Sequence, residues 1–137
     1  MLVEDNDTHA HLVERSLAKS DFPNYVFRVE NGARALEFLR REGEFSNQIK
    51  PDVVLLDLKL PKIDGLEVLS VIKNDENLKR IPVVVMTTSN TQSDRAKAYE
   101  HHANSYVVKP IDFDKFRSLL NAVCVYWGQW NESPEGV

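Results

Sequence analysis

The sequence predicts an α/β protein with a doubly wound, parallel sheet of five strands, flanked by five helices. Apolar and β-branched segments alternate with segments of helical spacing along the 137-residue chain. Two of the apolar segments, residues 53–56 and 81–86, contain no polar residue. Such continuous apolar runs are typical of strands that are buried on both faces of a parallel sheet.

The first half of the chain contains two predicted strands before the central one. Leu2–Val3 is a short apolar strand, and a helix is predicted over residues 7–20, where apolar residues recur at helical spacing. Four of the five residues at 25–29 are aromatic or β-branched, which favours a strand. An Asn-Gly turn follows, and a second helix is predicted over residues 33–42.

The second half repeats the alternation around the two apolar strands. After the strand at residues 53–56, the remaining elements are predicted at residues 65–72, 81–86, 92–101, 105–108 and 112–127, in the order helix, strand, helix, strand, helix. We expect a single domain over residues 1–126, and a helical extension followed by a disordered tail over residues 127–137.

Composition excludes several classes of protein. Seventeen Lys and Arg against 21 Asp and Glu give a net charge of −4. A nucleic-acid-binding protein usually has a basic excess, so no direct contact with nucleic acid is expected. No apolar run approaches the roughly 18 residues of a membrane span. The single Cys124 cannot form an intrachain disulfide, which is compatible with a reducing, cytoplasmic location.

Polar residues with related chemistry follow four of the predicted strands. Glu4 and Asp5 follow the first, Asp57 the third, Thr87 the fourth and Lys109 the fifth. Carboxyl ends of parallel strands meet at one edge of a sheet, where ligands of such folds bind. Converging carboxylates repel one another unless a cation neutralises them, and Mg²⁺ prefers such oxygen ligands. Carboxylates, Mg²⁺, Lys and Thr together predict a phosphoryl-transfer site.

A purely structural interpretation exists for some of these residues. An Asp that follows a strand often caps the next helix, so Asp5 or Asp57 alone would be equally compatible with a capping role. The functional interpretation depends on the convergence of side chains from four strands on one edge.

Four segments resemble the receiver domains of two-component response regulators. They are VEDN at residues 3–6, DVVLLDLKLPKIDG at 52–65, IPVVVMTTS at 81–89 and SYVVKP at 105–110. The resemblance covers residues 2–126, so the domain at 1–126 is expected to be a receiver domain with strand order 2-1-3-4-5.

The resemblance also implies a role for each site residue. Asp57 is expected to accept the phosphoryl group of a sensor histidine kinase. Asp5, Asp57 and the backbone carbonyl of Lys59 are expected to hold Mg²⁺ directly, and Glu4 mainly through a metal-bound water. The expected protein is a regulator that phosphorylates itself from a donor, not a turnover enzyme.

The resemblance also implies which residues change conformation when the protein is phosphorylated. Lys109 is expected to pair with Asp57 and then with a phosphoryl oxygen. Thr87 corresponds to the switch hydroxyl, and Tyr106 to the aromatic side chain that changes rotamer with it. The bond between Lys109 and Pro110 is expected to be cis, an isomer that proline tolerates.

The chain departs from the family pattern at three places. The first strand is shorter than usual, and Lys59 occupies a position where small or polar residues are common. His102 precedes Ala103 where a glycine commonly ends the fourth helix. Glycine takes the left-handed conformation without steric cost, so His102 must either adopt it at a cost of about 1 kcal/mol or reshape the loop.

Two other functions remain as alternatives to a signalling switch. An aspartate-nucleophile phosphatase would need an acid where Lys59 stands, and a flavodoxin-like module would need a phosphate loop where Glu4 and Asp5 lie. Among receivers, the chain resembles the small regulators that partner bacterial phytochrome kinases. That subgroup implies a homodimer through the fourth helix, fifth strand and fifth helix, and the aromatic stripe that ends in Trp127 and Trp130 is expected to contribute to it.

Overall fold

A computed structural model describes residues 1–134, and residues 135–137 of the expected tail lie outside the described residues. The strands are β1 (Leu2–Val3), β2 (Arg28–Val29), β3 (Val54–Leu56), β4 (Val83–Thr87) and β5 (Ser105–Val108). The helices are α1 (Asp7–Ala18), α2 (Gly32–Leu39), α3 (Gly65–Asn74), α4 (Gln92–Glu100) and α5 (Phe113–Val125). A 3₁₀ turn spans Gly43–Phe45, and a π-helical turn, Tyr126–Trp130, continues α5.

The five strands form one parallel sheet in the order β2-β1-β3-β4-β5. This confirms the fold class and the strand order expected from the sequence. Because β1 lies between β2 and β3 and every pairing is parallel, each crossover passes over a face of the sheet. The carboxyl ends of all strands therefore lie at the same edge.

Two apolar cores cover the two faces of the sheet. Successive strand residues point to opposite faces, so Leu55 and Val84 pack against α1 and α5, while Leu56 and Val85 pack against the other three helices. The burial of β3 and β4 on both faces explains their continuous apolar sequences.

Three strands differ in length or position from the prediction, and β3 begins one residue later than expected, at Val54. The predicted strand 25–29 is reduced to Arg28–Val29, because β2 pairs only with the two-residue β1. The strand predicted at 81–86 begins after Pro82, which has no N–H to donate, and continues to Thr87. These shifts leave every site residue at the same edge of the sheet.

Helix α4 is the least apolar of the five helices. Only Ala98 is buried among its nine residues. The loop after it contains His102, whose φ of 67° places it in the left-handed region. The histidine therefore adopts the left-handed conformation, one of the two outcomes expected from the sequence.

The carboxyl-terminal aromatic residues have different environments. Trp127 packs against the apolar core between α1, α5 and the sheet. The next residue, Gly128, lies so close to the ring of Phe22 that a Cβ on Gly128 would be 2.4 Å from a ring carbon. Trp130 remains 69% exposed. Trp127 is therefore only partly exposed, because it packs against the chain's own core, whereas Trp130 stays open to solvent.

Candidate functional site

Backbone hydrogen bonds of the sheet fix the positions of the polar residues at its carboxyl edge. The Glu4 N–H donates to the Val29 carbonyl at 3.1 Å, and the Asp57 N–H donates to the Val3 carbonyl at 3.1 Å. The Lys109 N–H donates to the carbonyl of Thr87 at 2.7 Å. The hydrogen-bond ladder of the sheet thus continues to the residues of the site, so the backbone that carries these side chains is held in place.

The ammonium group of Lys109 lies at the centre of the site. It donates to Asp57 Oδ2 at 3.1 Å, contacts His9 Nδ1 at 3.0 Å and forms a short hydrogen bond with Glu4 Oε1. Only 4% of Lys109 is exposed. Three partners match the three hydrogens of an ammonium group, so this buried cation is fully hydrogen-bonded.

A cluster of three carboxylates faces this lysine. One oxygen from each of Glu4, Asp5 and Asp57 lies within 4.8 Å of the others. Glu4 and Asp57 are buried, whereas Asp5 is exposed. Burial raises the pKa of Glu4 to about 7, although its hydrogen bond with Lys109 acts in the opposite direction. Hard oxygen ligands with an exposed side fit a divalent cation that keeps several waters.

The loop after β4 contains Ser89, which connects Thr87 to Tyr106. Thr87 is fully buried, and its Oγ1 accepts a hydrogen bond from the Ser89 N–H at 3.2 Å. The Tyr106 hydroxyl donates to the Ser89 carbonyl at 2.9 Å. The two residues expected to act as a switch therefore contact the same residue.

The backbone of Lys59 contacts Asp57, while its side chain pairs with Asp94. The Lys59 N–H donates to Asp57 Oδ1 at 3.2 Å. The Lys59 ammonium lies 3.5 Å from Asp94 Oδ2 in the first turn of α4. The Ser89 hydroxyl donates a short hydrogen bond to the same Asp94 oxygen.

Three residues of the site region were not identified from the sequence. His9 contacts Lys109, and burial, followed by the charge of Lys109, lowers the His9 pKa. Arg28 donates from Nε to the Glu4 carbonyl at 3.0 Å and pairs with Asp7 at 2.9 Å, which holds the loop after β1. Asp94 is the third. First-turn positions of helices that follow strands lie at this edge, and that rule could have indicated His9 and Asp94.

The peptide bond between Lys109 and Pro110 is trans, as are all peptide bonds of residues 1–134. The expectation of a cis bond is therefore wrong for this structure. Trans is the intrinsically favoured isomer of an X–Pro bond, by about 0.5–1 kcal/mol.

Among residues 1–134, no helix has the length and apolarity needed to cross a membrane.

The family model of the response regulator receiver domain matches residues 1–121. The probable methanogenesis regulatory protein FilR2 of Methanothrix harundinacea is 44% identical over 134 residues, which are 98% of this chain and 86% of FilR2. Response regulator Rcp1 of Synechocystis is 39% identical over 127 residues, 93% of this chain and 86% of Rcp1.

Solved structures show the same similarity. The phosphorylated cyanobacterial phytochrome response regulator RcpA aligns with a TM-score of 0.94 and 41% identity, covering 97% of this chain and 95% of RcpA. The Mn²⁺-bound form of Rcp1 aligns with a TM-score of 0.95 and 38% identity, covering 97% of this chain and 96% of that one. Sequence motifs, strand order and relatives agree, and the chain belongs to the response regulator receiver family of two-component signalling.

Proposed function

We propose that this receiver accepts a phosphoryl group on Asp57. The observation that supports this most strongly is the arrangement around that carboxylate, which is buried, bonded to Lys109 and clustered with two further acids. An oxygen of Asp57 would bond to phosphorus while the bond between phosphorus and the donor's leaving atom breaks. The leaving atom keeps the electron pair, so the product is an acyl phosphate.

The neighbouring side chains would stabilise the added charge. We assign the cation to Glu4, Asp5, Asp57 and the Lys59 carbonyl. Bound Mg²⁺ would offset the charge of the carboxylates and of the phosphoryl oxygens. Lys109 already donates to Asp57 Oδ2, and its ammonium can also donate to a phosphoryl oxygen.

Thr87 and Tyr106 would report the phosphorylated state. The Thr87 hydroxyl is the hydrogen-bond donor that we assign to the phosphoryl group. Its Oγ1 also accepts from the Ser89 N–H, and Tyr106 donates to the Ser89 carbonyl. Movement of Thr87 towards Asp57 would therefore alter the loop before α4. The altered loop would in turn change the face formed by α4, β5 and α5.

Acetyl phosphate tests this assignment. With Mg²⁺ we expect the wild type to gain one phosphoryl group by intact mass, and Asp57→Asn to gain none, because an amide is not a comparable nucleophile. Asp52→Asn, at the opposite end of β3, is the matched control and should be phosphorylated like the wild type. Phosphorylation of Asp57→Asn at the wild-type rate would contradict the proposal.

We further propose a sensor histidine kinase of the phytochrome type as the donor, in the cytoplasm where its ATP is available. Support comes from the similarity to RcpA and Rcp1, since RcpA is named a phytochrome response regulator. The test compares the rates of phosphotransfer from the histidine kinases of the same genome. A phytochrome kinase should be fastest. Fastest transfer from a kinase without a photosensory region would contradict this partner.

The exposed aromatic side chains support a homodimer through α4, β5 and α5. Tyr99 on α4 is 50% exposed, Phe113 at the start of α5 is 53% exposed, and Trp130 is 69% exposed. Aromatic residues are enriched at the buried centres of interfaces. We propose that a second copy covers this face in a two-fold contact, with each helix facing the same elements of its partner.

A further inference from the structure

Asp94 links two loops that border the phospho-acceptor. Its Oδ2 lies 3.5 Å from the ammonium of Lys59, which belongs to the loop after β3. The same oxygen accepts the hydroxyl of Ser89, which belongs to the loop after β4. The side chain of Asp94 is 17% exposed, whereas that of Lys59 is 64% exposed, so the lysine is the partner that can move.

Polar contacts hold the beginning of α4 in place. The helix buries only Ala98, and its first turn is capped by Thr91 Oγ1, which accepts from the Asp94 N–H at 3.1 Å. Few apolar contacts imply a low local stability. The ion pair with Lys59 is one of the polar contacts that connect this turn to its surroundings, and it links the turn to the loop after β3.

A phosphoryl group on Asp57 would compete for Lys59. The Lys59 N–H already donates to Asp57 Oδ1 at 3.2 Å, so the side chain begins beside the acceptor. A phosphoryl group carries roughly two negative charges at neutral pH, against one on Asp94. A lysine ammonium on its flexible stem can exchange one partner for the other.

We propose that Asp94 is a positioning residue that controls how far Lys59 is available to the phosphoryl group, and thereby the lifetime of the acyl phosphate. This inference rests on the proposed phosphorylation of Asp57. While Lys59 pairs with Asp94, its ammonium is withheld from the site. When Lys59 moves to the phosphoryl group it blocks the approach of water, and it also releases the first turn of α4.

The electrostatics of Asp94 are consistent with this pairing. The hydrogen bond from Ser89, and next the charge of Lys59, lower the Asp94 pKa from its ordinary value. Asp94 is therefore ionised at neutral pH and available as a partner for the lysine. Its replacement by Asn keeps the shape and an oxygen that can accept from Ser89, so this change removes the charge alone.

A double-mutant cycle on the decay of the phosphorylated protein tests the proposal. The proteins are the wild type, Asp94→Asn, Lys59→Asn and the double variant, each phosphorylated with acetyl phosphate, freed of donor and followed in Mg²⁺ by intact mass. Asp114→Asn is the matched control, since Asp114 is also a first-turn aspartate paired with a cation. Thermal unfolding of each variant verifies the fold.

We expect Asp94→Asn to slow the decay by about 1.5- to 5-fold, the range that corresponds to an exposed ion pair. In the Lys59→Asn background the same change should have no effect, and Asp114→Asn should decay like the wild type. An equal effect of Asp94→Asn with and without Lys59, or no effect in either, would overturn the inference. Absence of phosphorylation in the wild type would instead contradict the proposed function.

Discussion

At the scale of single residues, the ammonium of Lys109 determines the charge balance of the site. It is bonded to two buried carboxylates, Glu4 and Asp57, and its third partner is His9. A buried cation with this many partners is costly to remove, because the carboxylates stay buried without compensation. The functional arrangement and the stability of this edge therefore depend on the same group.

Lys109→Met is expected to lower the free energy of unfolding by about 3 kcal/mol when Mg²⁺ is absent. Mg²⁺ should recover part of this loss, since the cation binds the folded carboxylate cluster and replaces the missing charge. Chemical denaturation with EDTA and with Mg²⁺ measures both effects, and Lys115→Met at an exposed position of α5 is the control. Equal losses in the two variants, or no additional stabilisation of Lys109→Met by Mg²⁺, would refute this account.

Lys59 is expected to slow the loss of the phosphoryl group from Asp57. A long cationic side chain can pair with a phosphoryl oxygen and obstruct water, whereas an amide can orient a water molecule. Lys59→Asn should therefore decay faster, by about 5-fold for an interaction of roughly 1 kcal/mol. Lys62→Asn, an exposed lysine in the same loop, is the control. Identical decay of Lys59→Asn and the wild type would be incompatible with this role.

At the scale of secondary structure, the first residue of α3, Gly65, lies unusually close to the backbone of the residues that follow β3. A Cβ on Gly65 would lie 2.3 Å from the Asp57 carbonyl oxygen and 2.5 Å from Leu58 Cα. Only glycine permits this approach, although alanine is the better helix former by about 1 kcal/mol. The steric conflict is with backbone atoms, which cannot rotate away.

Gly65→Ala is expected to displace the backbone at Asp57. We expect a loss of stability of about 1–3 kcal/mol and slower phosphorylation by acetyl phosphate. Gly43→Ala is the comparison. Gly43 has a φ of 55°, and a Cβ added there would meet no atom within 4 Å, so this change should cost only about 1 kcal/mol. Wild-type stability and phosphorylation of Gly65→Ala would show that the contact is unimportant.

The sequence predicts most of the elements because the apolar pattern reflects burial directly. Strands β3 and β4 are buried on both faces, and their continuous apolar sequences are unambiguous. Strand β2 is overestimated because its length depends on pairing with β1, which local composition does not encode. The isomer of the Lys109–Pro110 bond is mispredicted because only the family resemblance, and no feature of the neighbouring residues, favoured the cis form.

The site residues were predictable to the extent that they end strands. Glu4, Asp57, Thr87 and Lys109 follow or end strands, so parallel topology alone brings them to one edge. The contact of Lys109 with a histidine of α1, and that of Lys59 with an aspartate of α4, depend on where helices begin and how side chains are directed. These contacts could not be predicted from the sequence, because several charged or polar side chains were equally plausible partners for each lysine.

At the scale of the whole molecule, the carboxyl edge of the sheet and the face formed by α4, β5 and α5 carry different kinds of side chain. The edge at the strand ends holds the charged site, while exposed aromatic side chains lie on α4 (Tyr99), at the start of α5 (Phe113) and in the turn that continues α5 (Trp130). Thr87 and Tyr106 meet at the loop after β4, between the site and that face. With the proposed phosphorylation of Asp57, a change at this residue would be transmitted to the proposed association surface.

Trp130→Ala and Phe113→Ala are each expected to weaken the proposed homodimer by about 2 kcal/mol, or roughly 30-fold in the dissociation constant. Sedimentation and light scattering, with and without acetyl phosphate, provide the measurement. Tyr25→Ala, which removes an aromatic residue that is 72% exposed in the loop before β2, is the control. A wild type that stays monomeric at tens of micromolar in both states would exclude the homodimer.

The central claim is that Asp57 is the phospho-acceptor, and locating the phosphoryl group on the wild-type chain tests it most directly. After phosphorylation by acetyl phosphate in Mg²⁺, borohydride reduces the acyl phosphate, and tandem mass spectrometry identifies the reduced residue. We expect modification at Asp57 and none in samples prepared with EDTA. Modification at Asp5, Glu4 or another acid in place of Asp57 would contradict the account.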